Sequence, residues 1–139
     1  MTQIKVLLID DSSDDNFFHE RAIKKSGLDA AITVFTHAEG ALEYLQSIAE
    51  NDHYHLIPHL ILLDINMPRM TGWEFLDVYA SLPGSVRKSV VIVMLSTSPD
   101  PRDKSLAEDN ELVADFSNKP LTADSFRAMI KQHLDRRED

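Results

Sequence analysis

Three short runs, 4–9, 59–63 and 90–95, are almost unbroken successions of Ile, Leu and Val. A strand with one wet face alternates apolar and polar residues, so an unbroken apolar run of this length marks a strand covered on both faces. Sheets covered on both faces are built from parallel strands with helices above and below, which restricts the chain to the α/β class. Two weaker and more polar runs, 31–36 and 114–117, are expected to add one strand each and complete a five-stranded sheet.

Between these runs the apolar period lengthens to that of a helix. Ala38, Ala41, Leu42, Leu45, Ile48 and Ala49 recur at spacings of three and four, and Thr36 followed by Glu39 has the form of a capping box. Phe126, Met129, Ile130 and Leu134 form a similar stripe after Thr122, and Phe75, Leu76, Tyr79 and Leu82 form another between Gly72 and Pro83. Phe17, Phe18, Ala22 and Ile23 predict a helix that follows Ser12 and Ser13 and ends near Gly27. The segment 101–110 is polar and weakly patterned, so its helix is expected to be short. Five strands alternating with five helices predict βαβ crossovers in a doubly wound sheet. At 139 residues, without repeats or linkers, the whole of 1–139 is expected to be one domain.

Composition narrows the function classes. A net charge of -9 argues against direct nucleic-acid binding, because sequence-independent affinity for polyanions rests on Lys and Arg. No apolar stretch is long enough to span a bilayer, and the first strand begins too close to Met1 to leave room for a signal peptide, so no membrane insertion is expected. With no cysteine there are no disulfides or thiolate sites, and a cytoplasmic location is the expectation.

In open α/β sheets the functional crevice lies at the carboxyl ends of the strands. The first strand runs directly into Asp10 and Asp11, and the third runs directly into Asp64. Carboxylates gathered at buried strand ends repel one another unless a cation sits among them, and a hard divalent ion with oxygen ligands, most naturally Mg²⁺, meets that need. The fourth run ends at Ser96 and the fifth just before Lys119, which adds a hydroxyl and an ammonium to the same edge. Such a set suits phosphoryl transfer, with Asp64 as nucleophile at the start of an irregular stretch containing Pro68 and Gly72.

In these motifs the chain resembles the receiver domains of two-component response regulators. Leu7 to Asp11 is similar to the family's first strand and acidic pair, and Leu62 to Pro68 with Gly72 to its phosphoacceptor strand and loop. Ser96, Phe116 and the Lys119–Pro120 pair fall where the family carries its hydroxyl, its aromatic switch residue and its Lys-Pro pair. The resemblance implies a flavodoxin-like (βα)5 fold with strand order 2-1-3-4-5 and a cis Lys119–Pro120 bond. It further implies Mg²⁺ held by Asp11, Asp64, the Asn66 carbonyl and, largely through water, Asp10. Ser96 and Lys119 would hold the phosphoryl oxygens, and Ser96 with Phe116 would form the switch. The implied function is a signalling module, not an enzyme beyond its own phosphotransfer and autodephosphorylation. A histidine kinase or histidine phosphotransfer protein would supply the phosphoryl group, and a downstream protein or a second copy of the chain would receive the signal. With no effector domain in view, the message would be carried by the chain's own surface.

The chain departs from the family at Thr97, where a smaller residue is usual and access to the site is expected to narrow. Its segment 50–59 is longer than in compact receivers and resembles stand-alone regulators, some of them paired with light-sensing kinases. Two other functions compete. A haloacid-dehalogenase-type phosphatase also pairs a nucleophilic Asp with Mg²⁺, but places a second acid two residues on, where this chain has Asn66. An unphosphorylated scaffold would not need the complete acidic, hydroxyl and lysine set. His53, His55 and His59 with Asp52 are read as solvated loop residues, not a metal cluster, and Arg136–Arg137 as a helix end.

Overall fold

The computed structural model describes residues 3–97 and 100–134, so the Arg136–Arg137 pair lies outside the described residues. Five strands, β1 (Ile4–Ile9), β2 (Ala30–Phe35), β3 (Leu60–Asp64), β4 (Val91–Ser96) and β5 (Asp115–Asn118), form one parallel sheet in the order β2-β1-β3-β4-β5. The helices are α1 (Ser13–Lys25), α2 (Ala38–Glu50), α3 (Gly72–Tyr79), a single turn α4 (Gly84–Arg87), α5 (Pro101–Asp109) and α6 (Ala123–His133). A 3-10 turn occupies Tyr54–Leu56. Among the described residues no helix is long and apolar enough to cross a membrane.

The unbroken apolar runs serve two cores at once. Leu7, Ile9, Ile61, Leu63, Ile92 and Met94 face α2, α3, α4 and α5, while Ile4, Val6, Leu8, Leu60, Leu62, Val93 and Leu95 face α1 and α6. This is the doubly wound arrangement that the pattern predicts.

Strand bounds differ from the expectation in an instructive way. β1 spans the expected residues, whereas β3 and β4 begin and end one residue later and so take in Asp64 and Ser96. Hydropathy reports which side chains are buried, but the hydrogen-bonded ladder continues into polar residues as long as its register holds. The helix count also needs correction, since the one-turn α4 follows Pro83 where no periodic stripe could signal so short an element. The expected capping box at Thr36 and Glu39 is absent. His37 is the N-cap of α2 and makes no side-chain cap bond, and Glu39 instead pairs with Arg69 at 3.2 Å. Full capping boxes occur at Thr71 with Glu74 on α3 and at Thr122 with Ser125 on α6.

Between β3 and α3 the chain folds back on itself. The Met70 amide donates to the Pro68 carbonyl at 2.8 Å, Arg69 adopts a φ of 68°, and the Gly72 amide donates to the Ile65 carbonyl at 2.7 Å. A Cβ at Gly72 would lie 2.5 Å from the Asp64 carbonyl oxygen and 3.1 Å from the Ile65 Cα, both backbone atoms. Gly72→Ala is therefore expected to lower stability by about 2–3 kcal/mol, measured by urea unfolding. An unchanged midpoint would show that this backbone yields freely.

Candidate functional site

Parallel register brings the strand ends to one level. Ile9 pairs with Leu63, so the residues that follow them, Asp10 just past β1 and Asp64 at the end of β3, lie side by side. Asp64 in turn pairs with Leu95, and Ser96 with Asn118, which places the hydroxyl and Lys119 along the same edge. Asp10 and Asp64 are buried, as is Ser96, whereas Asp11 lies exposed at the rim. One ligand oxygen from each of Asp10, Asp11 and Asp64 lies within 4.8 Å of the others.

Lys119 neutralises part of this charge. Its Nζ donates to Asp10 Oδ2 at 2.7 Å and to Asp15 Oδ2 at 2.8 Å, and it lies 3.1 Å from Asp64 Oδ1. The Lys119 amide donates to the Ser96 carbonyl at 2.9 Å, and the Lys119–Pro120 bond is cis, as the resemblance implies. Only 8% of the Lys119 side chain is exposed. Burial works against its charge, but the hydrogen bonds to Asp10 and Asp15 outweigh burial and hold its pKa above the usual lysine value. Asp64 moves the other way. Burial, followed by the neighbouring Asp10 charge, raises its pKa to about 6 despite the opposing pull of Lys119.

Around this centre the backbone is tied down locally. Asp10 Oδ1 accepts from the Ser12 amide at 2.9 Å, and the Asp10 carbonyl accepts from Asn16 Nδ2 at 2.9 Å. Ser12 caps α1 by accepting from the Asp15 amide at 3.1 Å. His19 is buried one turn further along α1, and burial followed by the Lys119 charge lowers its pKa, which favours the neutral imidazole.

The structure thus brings together Asp10, Asp11, Asp64 and Lys119, with Ser96 at the adjoining strand end. Asn66 follows in the irregular segment and is exposed. Phe116 is half-buried against the core that also contains Met94, and Trp73 packs against the same core from α3. Asp15 is the member that the sequence does not announce. In sequence it has the place of an ordinary first-turn acid favouring the helix dipole, whereas in the fold it is a partner of Lys119. His53 and His55 are exposed with their rings edge to face, and His59 Nδ1 is turned away to accept from the Lys5 amide at 2.9 Å. Among the described residues the only group of three or more candidate ligands is Asp10, Asp11 and Asp64. Its all-oxygen donor set fits Mg²⁺ rather than a thiophilic or imidazole-seeking metal.

Comparison with known proteins agrees with this geometry. Residues 6–131 match the family described as "Response regulator receiver domain". The chain is 36% identical over 123 residues to the "Two-component response regulator ARR5" of Arabidopsis thaliana, covering 85% of this chain and 64% of that protein. It spans just under two thirds of the first curated relatives, 62–64% of their length. Among solved structures, a two-component response regulator from Cytophaga hutchinsonii superimposes with a TM-score of 0.84 at 30% identity, over 96% of this chain and 99% of that one. The "Bacteriophytochrome response regulator RtBRR" does so with a TM-score of 0.77 at 26% identity, over 96% and 79%. With the family matched along nearly the whole chain, and its acidic edge assembled on the sheet order 2-1-3-4-5, this chain belongs to the response-regulator receiver domains of two-component systems.

Proposed function

We propose that the chain accepts a phosphoryl group on Asp64 from a phosphohistidine in a histidine kinase or histidine phosphotransfer protein. The observation that carries this reading is the carboxylate of Asp64, held at a strand end between two further acids and one buried ammonium. In the transfer, an Asp64 oxygen forms a bond to phosphorus as the phosphorus–nitrogen bond of the donor breaks; that bond's electron pair stays on the nitrogen, and the donor ring, protonated on its other nitrogen, leaves as neutral imidazole. Asp10, Asp11, Asp64 and the Asn66 carbonyl would hold Mg²⁺. When bound, the ion supplies positive charge against the developing phosphoryl oxygens. Lys119 holds a hydrogen-bond donor in place for the same oxygens, and Ser96 offers a hydroxyl from β4.

The signal would begin as a change in one face of this domain. Phosphorylation adds about -1.5 to -2 charge units and three strong acceptor oxygens. Ser96 turning towards them frees room for Phe116 to turn inward, which alters the face made by α5, β5 and α6. A protein partner, or a second copy of the chain, would read that face through an equilibrium between two states. The likeness to a bacteriophytochrome response regulator supports a photoreceptor kinase as one input to test. Asn66 in place of a second acid speaks against a multiple-turnover phosphatase.

Incubation with phosphoramidate or acetyl phosphate should add one phosphoryl group by intact mass in the presence of Mg²⁺ and none in EDTA. Labelling that persists in EDTA would overturn the reading.

A further inference from the structure

Lys119 has three ammonium hydrogens, and three carboxylates surround its nitrogen within 3.1 Å: Asp10, Asp15 and Asp64. Asp15 stands apart from the other two. It sits on the first turn of α1, is not among the three acids that can share a metal, and keeps 38% of its side chain exposed. Its carboxylate meets the site through the hydrogen bond from Lys119. Two oxygens held by one nitrogen at 2.8 and 3.1 Å can lie no farther apart than about 6 Å, so the Asp15 charge is close to where a phosphoryl group on Asp64 would form.

We propose that Asp15 is a positioning residue that draws Lys119 towards α1 and thereby opposes the phosphorylated state of Asp64. The inference rests on the Asp64 reading above. Three physical consequences follow from the geometry. The phosphoryl oxygens must share Lys119 with a competing carboxylate, and they gain a negative neighbour that the metal does not neutralise directly. Without Asp15, both effects vanish and Lys119 turns wholly to Asp10 and Asp64. That same turn places Lys119 in competition with a divalent cation for those two carboxylates, so metal affinity moves in the opposite direction. His19, the nearest buried titratable group on α1, is driven towards neutrality and does not replace the lost charge.

The test compares wild type, Asp15→Asn and Asp15→Glu. Mg²⁺ affinity is measured by calorimetry, and beryllofluoride affinity at saturating Mg²⁺ by ¹⁹F NMR, with thermal melts as a fold control. Asp15→Asn keeps an acceptor oxygen but removes the charge. A unit charge about 6 Å away in partly solvated surroundings predicts beryllofluoride binding about three- to tenfold tighter and Mg²⁺ binding a few-fold weaker. Asp15→Glu should return both values towards wild type. A folding defect would weaken both affinities, so the opposite signs distinguish positioning from mere support. If Asp15→Asn binds beryllofluoride no more tightly than a wild type that binds it well, the inference is overturned while the Asp64 reading stands. If wild type itself binds no beryllofluoride, the Asp64 reading falls and takes this inference with it.

Discussion

Asp64→Asn should take up no phosphoryl group from any donor, and the same substitution should make the metal-free fold more stable. The first effect follows because the amide is a poor nucleophile and no other carboxylate occupies the end of β3. Intact-mass spectra after exposure to acetyl phosphate and Mg²⁺ would decide it, and an adduct retained by the variant would sink the assignment. The second effect follows from the raised pKa of about 6. Between about pH 4 and pH 6 the folded chain keeps a proton that the unfolded chain has released. The stability linked to that proton is present in full below pH 4 and lost as pH rises through 6. At pH 7 in EDTA the wild type therefore carries a destabilised buried carboxylate, and Asp64→Asn should be about 2 kcal/mol more stable by urea unfolding. At pH 4 the two proteins should converge. A gap that does not shrink on acidification would mean that Asp64 is not the group that titrates.

Lys119→Ala should slow phosphorylation by about a hundredfold, the order of loss seen when one preorganised charge-stabilising donor is removed. Its effect on the fold depends on the metal. In EDTA the substitution leaves Asp10 and Asp64 buried without their cation, at a loss of about 2–4 kcal/mol. Mg²⁺ should restore most of that loss, because the ion meets the same oxygens without competition from the ammonium, and its affinity should rise accordingly. Labelling rates and urea midpoints with and without Mg²⁺ test both halves. A variant that labels at the wild-type rate would show that Lys119 takes no part in the transfer.

The sheet and most of the site were legible because both depend on the same signal. An apolar run that stops abruptly at a polar residue is a buried strand reaching the sheet edge, so Asp10 and Asp64 locate themselves, as Ser96 does at the end of β4. Lys119 was placed by the end of the weak fifth run, whereas Phe116 required the family resemblance, since β5 is only four residues long and half-buried. Thr36 and Glu39 misled because a capping box is a local pattern, and here Glu39 is drawn off by Arg69 from another loop. Asp15 was illegible for the complementary reason. Nothing near it in the sequence distinguishes it from Asp14, and the lysine that gives it a role is 104 residues away.

The sheet order also sets a timetable for a chain emerging from its amino end. Asp10, Asp11 and Asp64 can meet once β1 and β3 have paired, because β1 lies between β2 and β3. The two strands synthesised afterwards, β4 and β5, are added on the far side of β3, while α6 returns to pack beside α1. The ammonium that neutralises the acids lies 109 residues beyond Asp10 and is held by the outermost, shortest strand. In a chain where β1 and β3 pair before β5 docks, the acids would be gathered before their base. Loss of the β5 edge would strip the site of its ammonium while β1, β2 and β3 remained paired, which makes the lysine contact an early reporter of opening.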